Sequence, residues 1–276
     1  MEENNKYLST YNSSMITSLM TVPCNKPLKK MFKIGTFGYE LTGASACGTL
    51  KTSTRKLIDF CLSKLYENGS GLTVVSIKEY AELCGRSGTR KALENLRRSL
   101  IDDLDFIASI RFCLDKKGKK EPLGSYWTCA IFQSCKLERG KIYIRFSEDA
   151  VNIFKGNPKM ELSTGLMKLD GRNRLDYIIG RTFDERRSNK KNRESGTSDI
   201  VSVKTLLKRC RNNLQKHDNN RYAKHRIIEP IEAALNNLSD VYTWEYCNAK
   251  KEPLREDQNP HSFDEFQTLY IHFEHR

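Results

Sequence analysis

The sequence contains two closely similar ten-residue segments, which constrain its domain organisation more than any other feature. VSIKEYAELC covers Val75–Cys84, and VSVKTLLKRC covers Val201–Cys210, 126 residues further on. A repeat of this kind indicates a duplicated structural unit. The chain has 276 residues, which is enough for two domains of ordinary size. We therefore expect a tail or arm over residues 1–45, a first domain over 46–155 and a second over 156–276.

Patterns around the first copy predict a helix-turn-helix. In order they give a helix over Thr52–Tyr66 ended by Asn68-Gly69, a strand over Leu72–Val75, a helix capped by Ser76, a break at Gly85–Gly88, and a helix capped by Thr89 that runs from Arg90 to about Asp103. Strands are then expected over Asp105–Asp115, Tyr126–Leu137 and Lys141–Ser147. The first two of these strands flank a basic loop, Lys116–Ser125. This order predicts a winged helix with a basic wing tip.

The second copy predicts the same order of elements. It gives a helix from Arg172 to about Lys191, a loop over Asn192–Thr197, a helix over Val203–Cys210 capped by Ser202, a long turn over Arg211–Asn219, a helix from about Asn220 to Leu238, and strands over Val241–Cys247 and Thr268–Glu274. Pro230 predicts either a kink in the fifth of these elements or the start of a new helix. The expected fold class is α+β, with two tandem winged-helix domains related by internal duplication.

The segment before the duplication is less regular. Pro27–Leu41 predicts a strand or an arm that docks on the first domain or on a partner, and the residues before it predict a flexible tail. No stretch approaches the roughly 20 apolar residues of a membrane helix, and the first twenty residues are too polar for a signal peptide. The nine cysteines are scattered without metal-ligand spacing, which favours reduced thiols. We expect a cytoplasmic protein with no membrane contact, no metal and no cofactor.

The charge distribution predicts a polyanionic partner. The net charge is +13, and residues 172–226 hold sixteen Lys or Arg against six Asp or Glu, which accounts for most of the excess. Candidate double-stranded DNA contacts in the first copy are Arg86, Ser87, Thr89, Arg90 and Lys91, with Lys116, Lys117, Lys119 and Lys120 at the expected wing tip. In the second copy they are Arg211, Lys216, Asn219, Asn220, Arg221, Lys224 and His225, with Lys250 and Lys251 in the wing loop. The pattern does not separate base contacts from phosphate contacts.

Two winged helices in tandem, the basic segment RYAKHRIIEPIEAAL (Arg221–Leu235) and the wing strand around Trp244 resemble plasmid replication initiator proteins of the tandem winged-helix type. The resemblance covers roughly Leu50 to the last residue. It implies binding to repeated origin sites, preparation of an adjacent AT-rich region, and recruitment of a host initiator and helicase. It also implies a homodimer through the first domain, autoregulation by that dimer, and main base contacts from the helix that begins at Asn220.

Two other classes of protein are considered from the sequence. An enzyme is not expected, because the five histidines form no nicking-enzyme pair and no G-x4-G-K-[ST] loop is present. A transcriptional repressor with two winged helices and no replication role remains the alternative, since it needs the same groove-reading surface.

Overall fold

Two sets of elements, each running helix, strand, helix, helix and antiparallel strands, make up the computed structural model of the chain. It describes residues 7–11, 16–17, 29–34, 37–42, 51–118, 121–170, 174–210, 223–254, 260 and 262–276. The described chain divides into two compact units. One is Leu8–Lys159, here the N-terminal unit, and the other is Met160–Arg276 together with Tyr7, here the C-terminal unit. The mixture of helices and small sheets confirms the α+β fold class.

The elements of the first part of the chain are β1 (Tyr7–Tyr11), β2 (Lys29–Ile34), β3 (Phe37–Thr42), α1 (Thr52–Asn68), β4 (Leu72–Ser76), α2 (Ile77–Leu83), α3 (Arg90–Ala108), β5 (Arg111–Gly118), β6 (Glu121–Ala130), β7 (Phe132–Glu138), β8 (Lys141–Phe146) and α4 (Glu148–Lys155). Helix α1 buries its predicted stripe of Leu57, Cys61 and Leu65, among others. It ends where predicted, because Gly69 takes the left-handed conformation (φ 62°) and its N–H donates to the Leu65 carbonyl.

Helix α3 is longer than predicted, and the strand expected from Asp105 begins only at Arg111. The reason is helical periodicity, since Leu104, Phe106 and Ile107 continue the buried face that Leu96 and Leu100 begin. This face packs against β7 and against α1. The residues that favour a strand therefore form one only after the helix has ended, from Arg111 onward.

The strands of the N-terminal unit form two antiparallel sheets, and this corrects the predicted wing. The stretch Tyr126–Leu137 is not one strand, because it is interrupted at Ile131. Before that residue, β6 pairs with β5 in a four-stranded sheet of order β2-β3-β5-β6; after it, β7 pairs with β8 in a sheet of order β4-β8-β7. The wing next to the helix-turn-helix is therefore the β7–β8 hairpin. The basic stretch Lys116–Ser125 belongs to the other sheet, and its described residues extend β5 and β6.

The sheet β2-β3-β5-β6 includes the segment for which the sequence left two possibilities. Within Pro27–Leu41 the structure forms β2 and most of β3, which pair as an antiparallel hairpin, for example Phe32 with Tyr39. Strand β3 then pairs with β5 through Tyr39 and Leu114. These described residues are thus strands of the N-terminal unit.

The remaining elements are β9 (Lys159–Ser163), α5 (Thr164–Lys168), α6 (Arg174–Ser188), α7 (Lys190–Glu194), β10 (Ile200–Ser202), α8 (Val203–Cys210), a π-helical turn (Lys224–Ile228), α9 (Glu229–Asn237), β11 (Tyr242–Cys247), α10 (Phe263–Thr268) and β12 (Tyr270–His275). The sheet order is β10-β12-β11, all antiparallel. Phe183 of α6 stacks on Phe273 of β12 with ring centroids 4.0 Å apart. This contact joins α6 to the sheet of the unit.

Three predicted boundaries in the C-terminal unit are wrong. The helix expected to reach Lys191 ends at Ser188, and Asn189 caps the separate short helix α7 by accepting from the Asn192 N–H. The loop expected from Asn192 is therefore partly helical. Helix α10 occupies part of the expected wing loop and includes Thr268, so the last strand begins at Tyr270.

Pro230 lies in the first turn of α9, directly after the π-helical turn. Proline has no N–H to donate and its ring clashes with the carbonyl four residues earlier, so a regular α-helix cannot continue through it. The wider π turn accommodates this, and the apolar stripe of Ile227, Ile231 and Leu235 stays buried across the junction. Of the two possibilities for this proline, the structure has a new α-helix that follows a helical turn without a gap.

Candidate nucleic-acid interface

The helix-turn-helix of the N-terminal unit is held together by local contacts that the sequence predicts. The Ser76 hydroxyl accepts from the Glu79 N–H at 2.9 Å, which caps α2 as expected. Ile77, Tyr80 and Ala81 bury the inner face of α2. Thr89 stands at the N-cap position of α3, but its hydroxyl makes no capping bond. Instead, the Ser87 hydroxyl accepts from the Thr89 N–H at 3.2 Å, which orders the turn itself.

The predicted DNA contacts of the first copy share one property, which is exposure at the turn and the start of α3. All five are exposed: Arg86, Ser87, Thr89, Arg90 and Lys91. Helix α3 is 19 residues long, so its first turns can enter a major groove while its later turns hold it to the core. We call this surface, extended by Glu94, Asn95 and Arg98 of the next turn, the reading face.

A groove lies beside the reading face, between α3, the start of α2 and the β7–β8 wing. Its volume is about 490 Å³, and Ile77 and Leu93 form its apolar floor. Lys78 and Arg97 supply positive charge at its rim. Sequence reasoning did not select either residue as a DNA contact. The helical period did place Arg97 away from the core, so a signal for that residue was present, whereas Lys78 becomes notable only once the wing is located.

The wing turn is a two-residue hairpin formed by Arg139 and Gly140. Both residues have positive φ (47° and 72°), which is the backbone of the tight turns that suit twisted hairpins. The Gly140 carbonyl accepts from the Ile77 N–H at 2.9 Å, so the wing turn is tied to the first residue of α2. Arg139 and the following Lys141 are exposed. These two residues place positive charge on the β7–β8 wing. The sequence had predicted a different hairpin as the wing.

Two of the four lysines of the predicted wing tip are described, and they do not lie on this wing. Lys116 and Lys117 are in β5, within the four-stranded sheet. Lys119 and Lys120 lie outside the described residues. The structure therefore does not bring Lys116 and Lys117 together with the reading face through the β4-β8-β7 sheet.

The corresponding helix of the C-terminal unit is described only from Ala223 onward. Lys224 and His225 are exposed in the π-helical turn, and His225 Nδ1 lies 2.9 Å from the Glu229 carboxylate. The other predicted contacts of this copy lie outside the described residues: Arg211, Lys216, Asn219, Asn220 and Arg221. Ser202 caps the preceding helix α8 as predicted, because its hydroxyl accepts from the Thr205 N–H at 3.2 Å.

Lys250 and Lys251, the two predicted contacts in the C-terminal wing loop, differ in their surroundings. Lys250 is exposed, whereas the Lys251 ammonium lies 2.6 Å from the Asp199 carboxylate. That carboxylate also faces His272, whose other ring nitrogen lies 3.2 Å from Glu245. Partial burial of Asp199 would raise its pKa, but the hydrogen bond and charge of Lys251 outweigh burial and lower it. Part of the charge of Lys251 is therefore neutralised by Asp199, which lies just before β10.

Several arginines of the basic segment 172–226 are also committed to internal contacts. Arg209 forms two hydrogen bonds with Glu185, and Arg186 donates to the Thr197 carbonyl. Burial lowers the pKa of Arg186, and the nearby charge of Arg209 adds to this effect. The positive charge that faces solvent is thus smaller than the sequence count suggests. Part of it holds α6 to α8 and to the loop that contains Thr197.

A buried carboxylate, Asp184 of α6, organises the other end of the C-terminal unit. It accepts from the Tyr242 hydroxyl at 2.5 Å and from the Ser163 N–H at 2.7 Å. The Arg187 guanidinium lies 3.4 Å away and also donates to the Tyr7 hydroxyl at 3.0 Å. Burial raises the pKa of Asp184 to about 6, and these donors limit the rise. The cluster is enclosed by aromatic rings and serves the packing of the unit.

The described residues of the chain also bear on metal binding, on membrane-spanning helices and on the state of the thiols. Within the described residues, no three His, Cys, Asp or Glu side chains are grouped so as to bind a metal ion. The same residues include no helix that is long and apolar enough to cross a bilayer. Six described cysteines are free thiols: Cys61, Cys84, Cys129, Cys135, Cys210 and Cys247. What remains exposed and chemically distinctive is the positive charge around the helix-turn-helix and the wing.

Comparison with known sequences agrees with this surface. Residues 37–157, which include the helix-turn-helix and the wing, match the family described as Initiator Replication protein, WH1. This part of the chain is therefore similar to the WH1 region of replication initiators. The expected resemblance to replication initiators is thereby confirmed. No curated protein matches the sequence significantly.

Comparison with solved structures extends over both units. A crystal structure of selenomethionine derivatives of domain 2 and domain 3 of RctB has a TM-score of 0.53 at 12% identity, and the match covers 94% of this chain and 98% of that one. A second crystal structure, of RctB domains 2-3, has a TM-score of 0.51 at 11% identity, with 95% and 96% covered. At such low identity the likeness concerns the fold. It shows that the fold of the chain beyond the WH1 region also occurs in a solved protein.

Proposed function

We propose that the chain is a sequence-specific double-stranded DNA-binding protein that recognises repeated sites at the replication origin of a plasmid or mobile element and promotes initiation there. The observation that supports this most directly is the exposed basic reading face within the region matching replication initiators. A helix in this position reads base edges, and each good bidentate pair contributes about 1 to 3 kcal/mol of discrimination. No catalytic step is part of the proposal.

Each feature around the reading face has a role in this proposal. Arg90 and Lys91 begin the helix that enters the major groove, while Arg86 and Ser87 contact the adjacent phosphates. Lys78 and Arg97, which lie beside this helix, bind phosphates of the DNA backbone. Arg139 and Lys141 of the wing turn lie on the backbone or in the neighbouring minor groove. These assignments rest on exposure, charge and position next to α3.

The C-terminal unit contributes a second recognition surface. Its element order repeats that of the N-terminal unit, and Lys224, His225 and Lys250 are exposed on the corresponding helix and wing loop. We retain residues 46–155 and 156–276 as the two functional domains. The predicted contacts Arg211 to Arg221 belong to this proposal by position in the sequence.

The family resemblance supplies the proposed partners. These are a second copy of the chain, bound through the first domain, and a host initiator and helicase recruited at the origin. The site of action is the cytoplasm, and the same dimer would repress the gene of the protein itself. Repression alone, without a role in replication, would need the same groove-reading surface and is the outcome against which replication must be tested.

The deciding experiment is a DNase I footprint of the purified protein on the DNA that flanks its own gene, at physiological salt with scrambled competitor. The proposal expects protection of several evenly phased direct repeats beside an AT-rich stretch. Replacing Arg90 and Lys91 together with alanine should abolish that protection. The matched control replaces Arg111 and Lys155, which are also exposed but lie outside the reading face, and should keep it.

Two results would contradict the proposal. Protection of a single inverted repeat over the promoter alone would indicate a repressor. The absence of any discrete protected site would leave a basic protein that binds DNA without sequence preference, since phosphate contacts supply most of non-specific affinity.

A further inference from the structure

An acidic side chain stands within the basic reading face. Between Arg90 and Arg98 the sequence holds four basic residues, and Glu94 is the one acidic residue among them. Its carboxylate Oε1 accepts from Arg90 Nε at 3.1 Å, one helical turn away. The two side chains are 55% and 93% exposed, so both project from α3 into solvent. A carboxylate in this position needs a physical explanation, because it repels the phosphates that the surrounding arginines and lysine attract.

Helix stability does not explain Glu94 well. An exposed ion pair between residues four apart adds little, since water screens it and two long side chains must be ordered. The order along the helix is also the less favourable one, with the basic residue preceding the acidic residue. A pair that stabilises so little breaks readily when a better partner is offered. Both members are therefore available to a ligand that presents an acceptor to Arg90 and a donor to Glu94.

We infer that Arg90 and Glu94 act together as a reader of guanine and cytosine, in which Arg90 binds guanine and Glu94 selects cytosine. This inference rests on the proposed function and names specificity residues within it. In the major groove guanine presents two acceptors, N7 and O6, to an arginine, and cytosine presents the N4 amino donor to a carboxylate. Thymine O4 and the guanine edge offer acceptors only, so both repel Glu94.

The spacing of the two residues fits the spacing of bases. Side chains four apart on a helix have Cβ atoms about 5 to 6 Å apart. Successive bases along one strand are about 3.4 Å apart, so the pair reaches the two bases of one G·C pair or of adjacent pairs. The Arg90–Glu94 contact in the free protein shows that both side chains project from the same face of α3. Glu94 thus favours one sequence and, by repelling phosphates, weakens binding to all others.

The test measures base preference, using binding-site selection from a library randomised within the footprinted repeat, followed by competition of selected against scrambled duplexes. The variants are Glu94→Ala and Glu94→Gln. The matched control is Glu67→Ala on α1, which also removes an exposed carboxylate from an ion pair, with Lys64 at 2.9 Å. This control measures the general effect of removing one negative charge.

The wild-type protein should show a cytosine at one position of each repeat. Glu94→Ala should bind scrambled DNA more tightly and lose that preference, with the ratio of specific to non-specific affinity falling by about 5- to 150-fold. Glu94→Gln should move the preference toward adenine, because a glutamine amide pairs with adenine N6 and N7. Glu67→Ala should keep the wild-type preference.

The inference is overturned if Glu94→Ala selects the same bases with the same affinity ratio as the wild type. That result would leave the proposed function intact, because the footprint would persist. If the wild-type protein itself selects no sequence, the proposed function fails, and the base preference assigned to Glu94 fails with it.

Discussion

Arg209 on α8 binds Glu185 on α6 through two parallel hydrogen bonds, Nη1 to Oε2 at 2.8 Å and Nη2 to Oε1 at 2.9 Å. Both side chains are mostly buried, and Arg209 Nη1 also donates to the Thr182 hydroxyl at 3.1 Å. Helix α8 is the support helix of the C-terminal helix-turn-helix. The contact fixes α8 to α6, so this arginine acts within the fold although it lies in the most basic part of the sequence.

We expect Arg209→Ala to lower the free energy of unfolding by roughly 1.5 to 3 kcal/mol, because it removes two charge-assisted hydrogen bonds from the mostly buried Glu185 carboxylate. Urea denaturation followed by circular dichroism measures this. The adjacent Lys208 is exposed, and Lys208→Ala should change stability by less than about 0.5 kcal/mol. Equal effects of the two changes would show that the bidentate contact does not stabilise the unit.

Asp184 predicts a dependence of stability on pH. Its folded pKa is about 6, raised by burial above the ordinary value of 3.8. The folded state therefore binds this proton more tightly than the unfolded state does. The contribution of this proton to the free energy of unfolding is present in full below about pH 4 and is lost as the pH rises through 6. Ionising the buried carboxyl costs on the order of 3 kcal/mol.

The measurement for Asp184 is the free energy of unfolding between pH 4 and 8, in the wild type and in Asp184→Asn. The amide has one acceptor oxygen, whereas the carboxylate uses two for the Ser163, Tyr242 and Arg187 donors, so the variant should be less stable throughout. The free energy of unfolding of the variant should nevertheless not show the decrease between pH 4 and 6 that the wild type shows. Parallel pH curves for the two proteins would contradict the assigned titration.

Substitutions of Lys250 and Lys251 should distinguish a lysine that contacts DNA from one that is held within the fold. Lys250→Ala should lower the slope of log affinity against log salt by about 0.9, the contribution of one phosphate contact. Lys251→Ala should change that slope less, because its ammonium is already paired with Asp199. Fluorescence anisotropy with a labelled origin duplex over a salt series gives both slopes. A larger slope change for Lys251 would mean that this ion pair opens on DNA.

The sequence predicted the local features of the fold. Ser76 and Ser202 cap their helices as expected, because a cap depends on a hydroxyl and an N–H three residues away. The exposed cluster from Arg86 to Lys91 also follows from short-range pattern, since a glycine-rich break precedes an amphipathic helix. Features set by neighbours in the sequence are those that periodicity and capping rules describe well.

The wing could not be assigned in the same way. Local sequence patterns do not select the pairing partners of strands β5 to β8, because that choice depends on contacts between residues far apart in the chain. The break at Ile131, whose N–H donates to the Ile110 carbonyl, decides which strands join the helix-turn-helix. The ion pair of Lys251 with Asp199 is equally remote, at 52 residues apart. Charge counting treated that lysine as free because pairing of this kind has no local signal.

The hydrogen bond from Ile77 to Gly140 has a consequence for how fast the N-terminal unit associates with DNA. The wing turn and the support helix share this bond, so the turn, α2 and the start of α3 form one preassembled body in the free protein. Docking such a body requires no folding of the wing at the moment of contact. Its association rate should then be set by diffusion and by attraction between opposite charges, and should fall steeply as ionic strength rises.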